Sequence, residues 1–214
     1  MLLSKLPASI IFDFDNTLVD TQEAIHNAFN DTLCAFGLAK WSEYDLKNKI
    51  KYSPRDFLHR VVGLENELKA KEIFLATYQK HSAKSLRPMS CATELLDFFR
   101  NKNIKQYVIS NKRGHLLRHE VHNLLNWGSY FQKIVGSEDC QHDKPDPMIV
   151  EYTLGHKADH EIWFIGDSDV DIACARNSGC LAILINSDND LKLEYEPDIH
   201  YPNLDGLLTA IREL

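Results

Sequence analysis

The chain has 214 residues, 44% of them hydrophobic and 26% charged, which is enough for one sizeable core or a core plus a small second module. Its formal net charge of −7 argues against a nucleic-acid binder, which would show a basic face, and no apolar run approaches membrane-spanning length. The opening Met1-Leu2-Leu3-Ser4-Lys5-Leu6-Pro7 is too soon interrupted to read as a signal peptide, and the five cysteines are dispersed without CxxC spacing, so a cytoplasmic, reducing setting is expected.

In chain order, the apolar run around Ile10-Ile11-Phe12 predicts a buried strand over 9–14. Helical periodicity from Thr21 to Phe36 ends at Gly37, Ser53-Pro54 opens a second helix, and Glu65 to Ala83 reads as a long third. Nothing between about 20 and 85 reads as a strand. From Cys91 the pattern alternates: helices at 91–101, 115–125, 147–155, 170–178 and 204–213, with strands at 104–109, 132–135, 161–165 and 180–185. This predicts a doubly wound parallel α/β core of residues 1–19 and 86–214, with an all-α cap of residues 20–85 inserted after the first strand. The cap holds ten basic and nine acidic residues (+1), leaving −8 on the core. It hangs by two stretches of chain and is expected to open and close over a site below.

Candidate chemistry gathers where the core strands end. Asp13 and Asp15 are two residues apart and project to one side of the first strand, an arrangement of like charges that a cation between them, or separate duties, would justify. Tyr107-Val108-Ile109 stops on Ser110-Asn111-Lys112, and Ile162 to Gly166 stops on Asp167-Ser168-Asp169, with Asp171 beyond. Lys144 opens Lys144-Pro145-Asp146-Pro147, a loop feeding a helix. The carboxyl ends of parallel strands are where open α/β sheets build their sites. Hard oxygen ligands favour Mg²⁺, Lys144 supplies a point charge for a phosphoryl group, and a carboxylate can attack phosphorus while a second serves as acid and base. Away from these loops, His115, His119 and His122 share a helix face that reads as a polar exterior. Lys47, Lys49, Lys51, Arg55 and Arg60 crowd one part of the cap; most read as a solvated face, with Arg55 kept as a candidate substrate contact.

These motifs resemble the haloacid dehalogenase superfamily, and within it the phosphoglycolate-phosphatase-like branch with a helical cap on a Rossmann-like core. The DxDxT motif is Asp13-Phe14-Asp15-Asn16-Thr17, the second motif is Ser110 in a Ser-Asn-Lys setting, the third is Lys144, and GDxxxD is Gly166-Asp167-Ser168-Asp169-Val170-Asp171. The resemblance implies Asp13 as nucleophile and Mg²⁺ ligand, and Asp15 as general acid/base with its backbone carbonyl on the metal. It implies Ser110, Asn111 and Lys144 around the phosphoryl group, Asp167 on the metal, and Asp171 holding the metal's water or Lys144. Asn16 departs from the glycine common at its position, and asparagine tolerates the unusual backbone angles there. The implied activity is Mg²⁺-dependent hydrolysis of a small phosphorylated metabolite, phosphoglycolate-like, by a monomer or homodimer without nucleic-acid or membrane partners. Two alternatives stay open: a phosphomutase on the same fold, and a signalling domain phosphorylated on aspartate.

Overall fold

The computed structural model describes residues 3–49, 57–188 and 193–214, and of residues 47 and 48 the backbone alone. Two compact units emerge, Met1–Val19 with Pro88–Leu214, and Asp20–Arg87.

The first unit is built on a six-stranded sheet. Its strands are β1 (Ser9–Phe12), β4 (Lys105–Arg113), β5 (Phe131–Ser137), β6 (Ile162–Gly166), β7 (Leu181–Ile185) and β8 (Ile199–Tyr201). They lie in the order β5-β4-β1-β6-β7-β8, all parallel. From β1 the chain winds outward through β4 and β5, then returns past β1 to β6 and winds the other way. The winding reverses between β1 and β6, and a crevice forms at the carboxyl ends of such a pair. Every residue of β1, β6 and β7 is buried, which is why these segments read as unbroken apolar runs.

Flanking helices show the complementary pattern. In α5 (Ala92–Asn101) the buried residues are Ala92, Leu95, Leu96 and Phe99, one stripe at helical spacing, and Phe99 packs its ring 6.2 Å from those of both Phe12 and Trp163. In α9 (Leu204–Arg212) the stripe is Leu204, Leu207, Leu208 and Ile211, and the side chain of Asn203 caps the helix by accepting from the Gly206 N–H at 3.0 Å. Between them in sequence lie α6 (Gly114–His119), α7 (Met148–Leu154) and α8 (Asp169–Ser178).

The second unit is helical: α1 (Gln22–Ala35), α2 (Glu43–Lys49), α3 (His59–Val62) and α4 (Glu67–Ser85). Ala24, Ala28, Phe29 and Leu33 of α1 are buried, as are Ala70, Phe74 and Tyr78 of α4, and His81 meets Asp31 at 2.7 Å across the same helix pair. The side-chain oxygen and nitrogen of Asn30 take up the N–H and carbonyl of Trp41 at 2.8 and 2.9 Å, seating that ring 5.4 Å from Phe29.

Several elements differ from the sequence expectation. The chain passes between units through β2 (Val19–Asp20) and β3 (Arg87–Pro88), two two-residue strands that pair with each other, so Asp20 lies in a strand where none was expected from about 20 to 85. β8 and α2 were not expected, and the start of the helix expected from Ser53 lies outside the described residues, as do Lys51 and Arg55. β4 runs four residues past the expected end at Ile109, taking Ser110 into the strand, and the continuation is irregular, with a register shift between Ile109 and Arg113. The helix expected over 115–125 is α-helical only to His119 and continues as a π turn over Glu120–Leu124.

Candidate active site

Asp13 follows directly on β1, its N–H donating to the Ile165 carbonyl at 2.8 Å, so the end of β1 is pinned to β6. The chain then turns tightly: Asn16 adopts φ 60°, its N–H donates to the Val19 carbonyl at 2.7 Å, and Asp15 bridges to Val19. This left-handed position explains how asparagine serves where a glycine is common. Thr17, fully buried, reaches back from the turn and donates to Asp13 Oδ2 at 3.2 Å and Asp167 Oδ1 at 3.3 Å, tying the two strand ends together.

Lys144 enters from the loop before α7. Its backbone is clamped by Asn111, which accepts from the Lys144 N–H at 2.9 Å and donates to the Lys144 carbonyl at 3.0 Å. Its buried Nζ meets Asp13 Oδ1 at 2.5 Å and Asp171 Oδ1 at 2.7 Å. Asp171 in turn accepts from the Ser168 N–H and hydroxyl at 3.1 and 2.5 Å, a capping box that starts α8. Gly166 is required for this approach, since a Cβ there would lie 2.2 Å from the Asp171 Cβ. Ser110 is buried two residues before Lys112, whose N–H it accepts at 3.1 Å.

One carboxylate oxygen each from Asp13, Asp167 and Asp171 lie within 4.8 Å of one another. With Lys144 as the cation among them, three carboxylates face one ammonium, a deficit of two positive charges in a buried place. A divalent cation fits this set on charge and on donor chemistry, all hard oxygen. The electrostatics agree. The Asp13 carboxyl is raised to about 7: burial is the largest cause, Lys144 opposes it, and the charges of Asp171 and Asp15 add to it. Burial, then Asp171 and Asp13, hold Asp167 well above the usual carboxylate range. Burial alone would lower the Lys144 ammonium, but Asp13 and Asp171 outweigh it and the net direction is up.

Asp15 does not join that trio. Its carboxylate accepts from Lys112 Nζ at 2.6 Å, and the same Nζ donates to Glu120 Oε2 at 2.6 Å. The sequence placed Lys112 beside Ser110 without a role and passed over Glu120. Strand alternation was the available signal for Lys112, because residues two apart on β4 face the same way; a glutamate within a helix gives none. Among the described residues the three histidines of the α6 region form no metal-ligand group, and Lys49 and Arg60 have local partners, Asp45 at 2.7 Å for the first and the Phe57 ring at 5.5 Å for the second.

A model of haloacid dehalogenase-like hydrolases matches residues 10–185, spanning all four strand-end motifs. The chain belongs to this family. Phosphoglycolate phosphatase of Agrobacterium fabrum is 28% identical over 215 residues, covering 95% of this chain and 91% of the relative. Pyrophosphatase PpaX of Oceanobacillus iheyensis is 24% identical over 217 residues, covering 95% and 96%. A solved Haemophilus somnus 129pt structure, described as a predicted phosphoglycolate phosphatase, superposes with a TM-score of 0.82 at 21% identity, covering 94% of this chain and 96% of that one. That likeness shows a shared haloacid dehalogenase-like fold. Among the described residues no helix is long and apolar enough to cross a membrane.

Proposed function

We propose that this haloacid dehalogenase-family hydrolase is a Mg²⁺-dependent phosphatase that cleaves a small phosphate monoester, phosphoglycolate-like, through a phosphoryl group carried on Asp13. The observation that carries the reading is the meeting of Asp13 with Lys144 at 2.5 Å, beside Asp167 and Asp171, at the reversal point of the sheet. The names of the two curated relatives support a phosphate-ester or phosphoanhydride substrate.

Asp13, Asp167 and Asp171 would hold Mg²⁺ through their side chains, with the Asp15 carbonyl as a further oxygen. Bound there, Mg²⁺ supplies positive charge against the oxygens of the phosphoryl group. Asp13 attacks phosphorus with a carboxylate oxygen, forming an acyl phosphate as the ester oxygen departs. Asp15 gives its proton to that oxygen, releasing a neutral alcohol, and then takes a proton from the water that attacks the acyl phosphate. The second step frees the Asp13 carboxylate and orthophosphate. Lys144 holds charge on the transferring group, the Ser110 hydroxyl orients one of its oxygens, and Asn111 keeps Lys144 in place through its backbone.

A panel of phosphorylated metabolites including phosphoglycolate, assayed for released orthophosphate with Mg²⁺ and with chelator, tests the proposal. Expected are Mg²⁺-dependent release from at least one small monoester and none in chelator. No release from any ester, or equal rates in chelator, would overturn it. Transfer of phosphate to a second sugar phosphate instead of water would mark a mutase.

A further inference from the structure

We propose that Lys112, braced by Glu120, is a positioning residue for Asp15 that aims the carboxyl group exchanging the proton with leaving oxygen and water. The proposal rests on the phosphatase reading above and adds to it two residues to which the four motifs give no role.

Three side chains carry it. Lys112 Nζ lies 2.6 Å from Asp15 Oδ1 and 2.6 Å from Glu120 Oε2, with the Lys112 and Glu120 side chains 8% and 1% exposed. Burying a lysine and a glutamate carries a desolvation cost for each, and well-packed apolar residues of the same volume generally stabilise a fold at least as well. Stability is therefore a poor reason for this pair. Direction is a better one. The backbone of Asp15 is already fixed by the turn through Asn16 and by its bridge to Val19, which leaves the carboxyl free only about its own torsions. A charge-assisted bond to a buried ammonium removes that freedom.

Among the described residues the ammonium is itself held from three sides. Its backbone belongs to β4, two residues after Ser110, so one strand carries the hydroxyl for the phosphoryl group and the guide for the acid. Its Nζ lies 5.0 Å from the centre of the Phe14 ring, the residue between the two aspartates. Glu120 supplies the third hold from the first residue of the π turn, and π segments inside helices recur at functional sites. Lys112 occupies Oδ1, so the proton is exchanged at Oδ2.

The test compares an alkyl ester, 2-phosphoglycolate, with 4-nitrophenyl phosphate, whose leaving group departs without a proton. The quantity read is the single-turnover rate of phosphoenzyme formation in Asp15→Asn, Lys112→Met, the double variant, and Glu120→Gln. Misaiming a catalytic group by about 1 Å can cost on the order of 100-fold, so Lys112→Met should slow the alkyl ester by roughly 10- to 100-fold. The aryl ester should lose less than about threefold, because its first step needs no acid. In the Asp15→Asn background the Lys112→Met loss on the alkyl ester should fall below about twofold, since nothing remains to aim. Glu120→Gln should show a smaller loss with the same selectivity, and it carries the test if Lys112→Met does not fold. Equal losses on both esters, an undiminished Lys112→Met effect without Asp15, or an unchanged or unselective Glu120→Gln enzyme would overturn the proposal. If Asp15→Asn itself shows no selectivity between the esters, the acid assignment fails instead; if it does and Lys112→Met does not, only the positioning role falls.

Discussion

Replacing Gly166 by alanine should loosen the centre of the site by a calculable amount. The added Cβ would lie 2.2 Å from the Asp171 Cβ, 2.3 Å from its Cγ and 2.6 Å from its Oδ2. Reaching ordinary carbon contact means opening the gap by more than about 1 Å. Asp171 is 1% exposed and sits in the first turn of α8, so it cannot swing into solvent; the helix start or the end of β6 must yield. Overpacking of this kind costs about 1–3 kcal/mol, and losing the Ser168–Asp171 capping box adds about 1 kcal/mol. The sum is roughly 2–4 kcal/mol, and at about 2–4 °C per kcal/mol for a chain of this size the midpoint should fall by roughly 4–16 °C. Thermal melts followed by circular dichroism at pH 7 read the shift, with Ser168→Ala as the control for the cap alone at about 2–4 °C. A Gly166→Ala protein melting within about 1 °C of the parent would refute the claim that Asp171 is wedged against the strand end.

Other outcomes follow from neighbouring contacts. Asp139 accepts from the Gly136 N–H at 2.8 Å and Arg118 at 2.5 Å; burial pushes its carboxyl up, but these partners outweigh burial and its value is depressed. A depressed folded value means stability present above the unfolded carboxylate value of about 3.9 and lost as pH falls through the lower folded value, so Asp139→Asn should be less stable than the parent at pH 6 and converge with it below about pH 4 in urea titrations. Mg²⁺ at about 100 times its dissociation constant should add about 2.7 kcal/mol to the stability of the parent and much less to Asp167→Asn, read as melting shifts with and without chelator. Asn111→Ala removes both bonds to the Lys144 backbone, and each lost hydrogen bond is worth about 0.5–1.5 kcal/mol; hydrolysis should slow, while His119→Ala leaves it unchanged.

The strands that build the site were legible because burial on both faces leaves no room for polar residues until the strand ends, so Asp13 and Asp167 stand out at the close of apolar runs. Their convergence follows from parallel winding alone. β8 was missed because three residues, one of them exposed His200, carry no period, and α2 because Glu43-Tyr44-Asp45-Leu46-Lys47-Asn48-Lys49 has no apolar stripe. The extension of β4 was missed for a related reason: Ser110, Asn111, Lys112 and Arg113 are polar and read as loop, yet they continue extended beside β5. Lys112 and Glu120 were invisible as a pair because a separation of eight residues, from the end of a strand to a helix that widens into a π turn at Glu120, says nothing about their meeting. Gly166 belongs to a motif, but its steric reason, the closeness of Asp171, appears only in three dimensions.

Every role proposed for the site depends on Asp13 carrying the phosphoryl group. Acid-quenched reactions with a phosphate-labelled ester and Mg²⁺, followed by peptide mapping in mass spectrometry, test it most directly. The parent should give an acyl phosphate on Asp13, Asp15→Asn should accumulate it because the second step lacks its base, and Asp13→Asn should give none. Label on Asp15, or a labelled Asp13→Asn protein, would contradict the account.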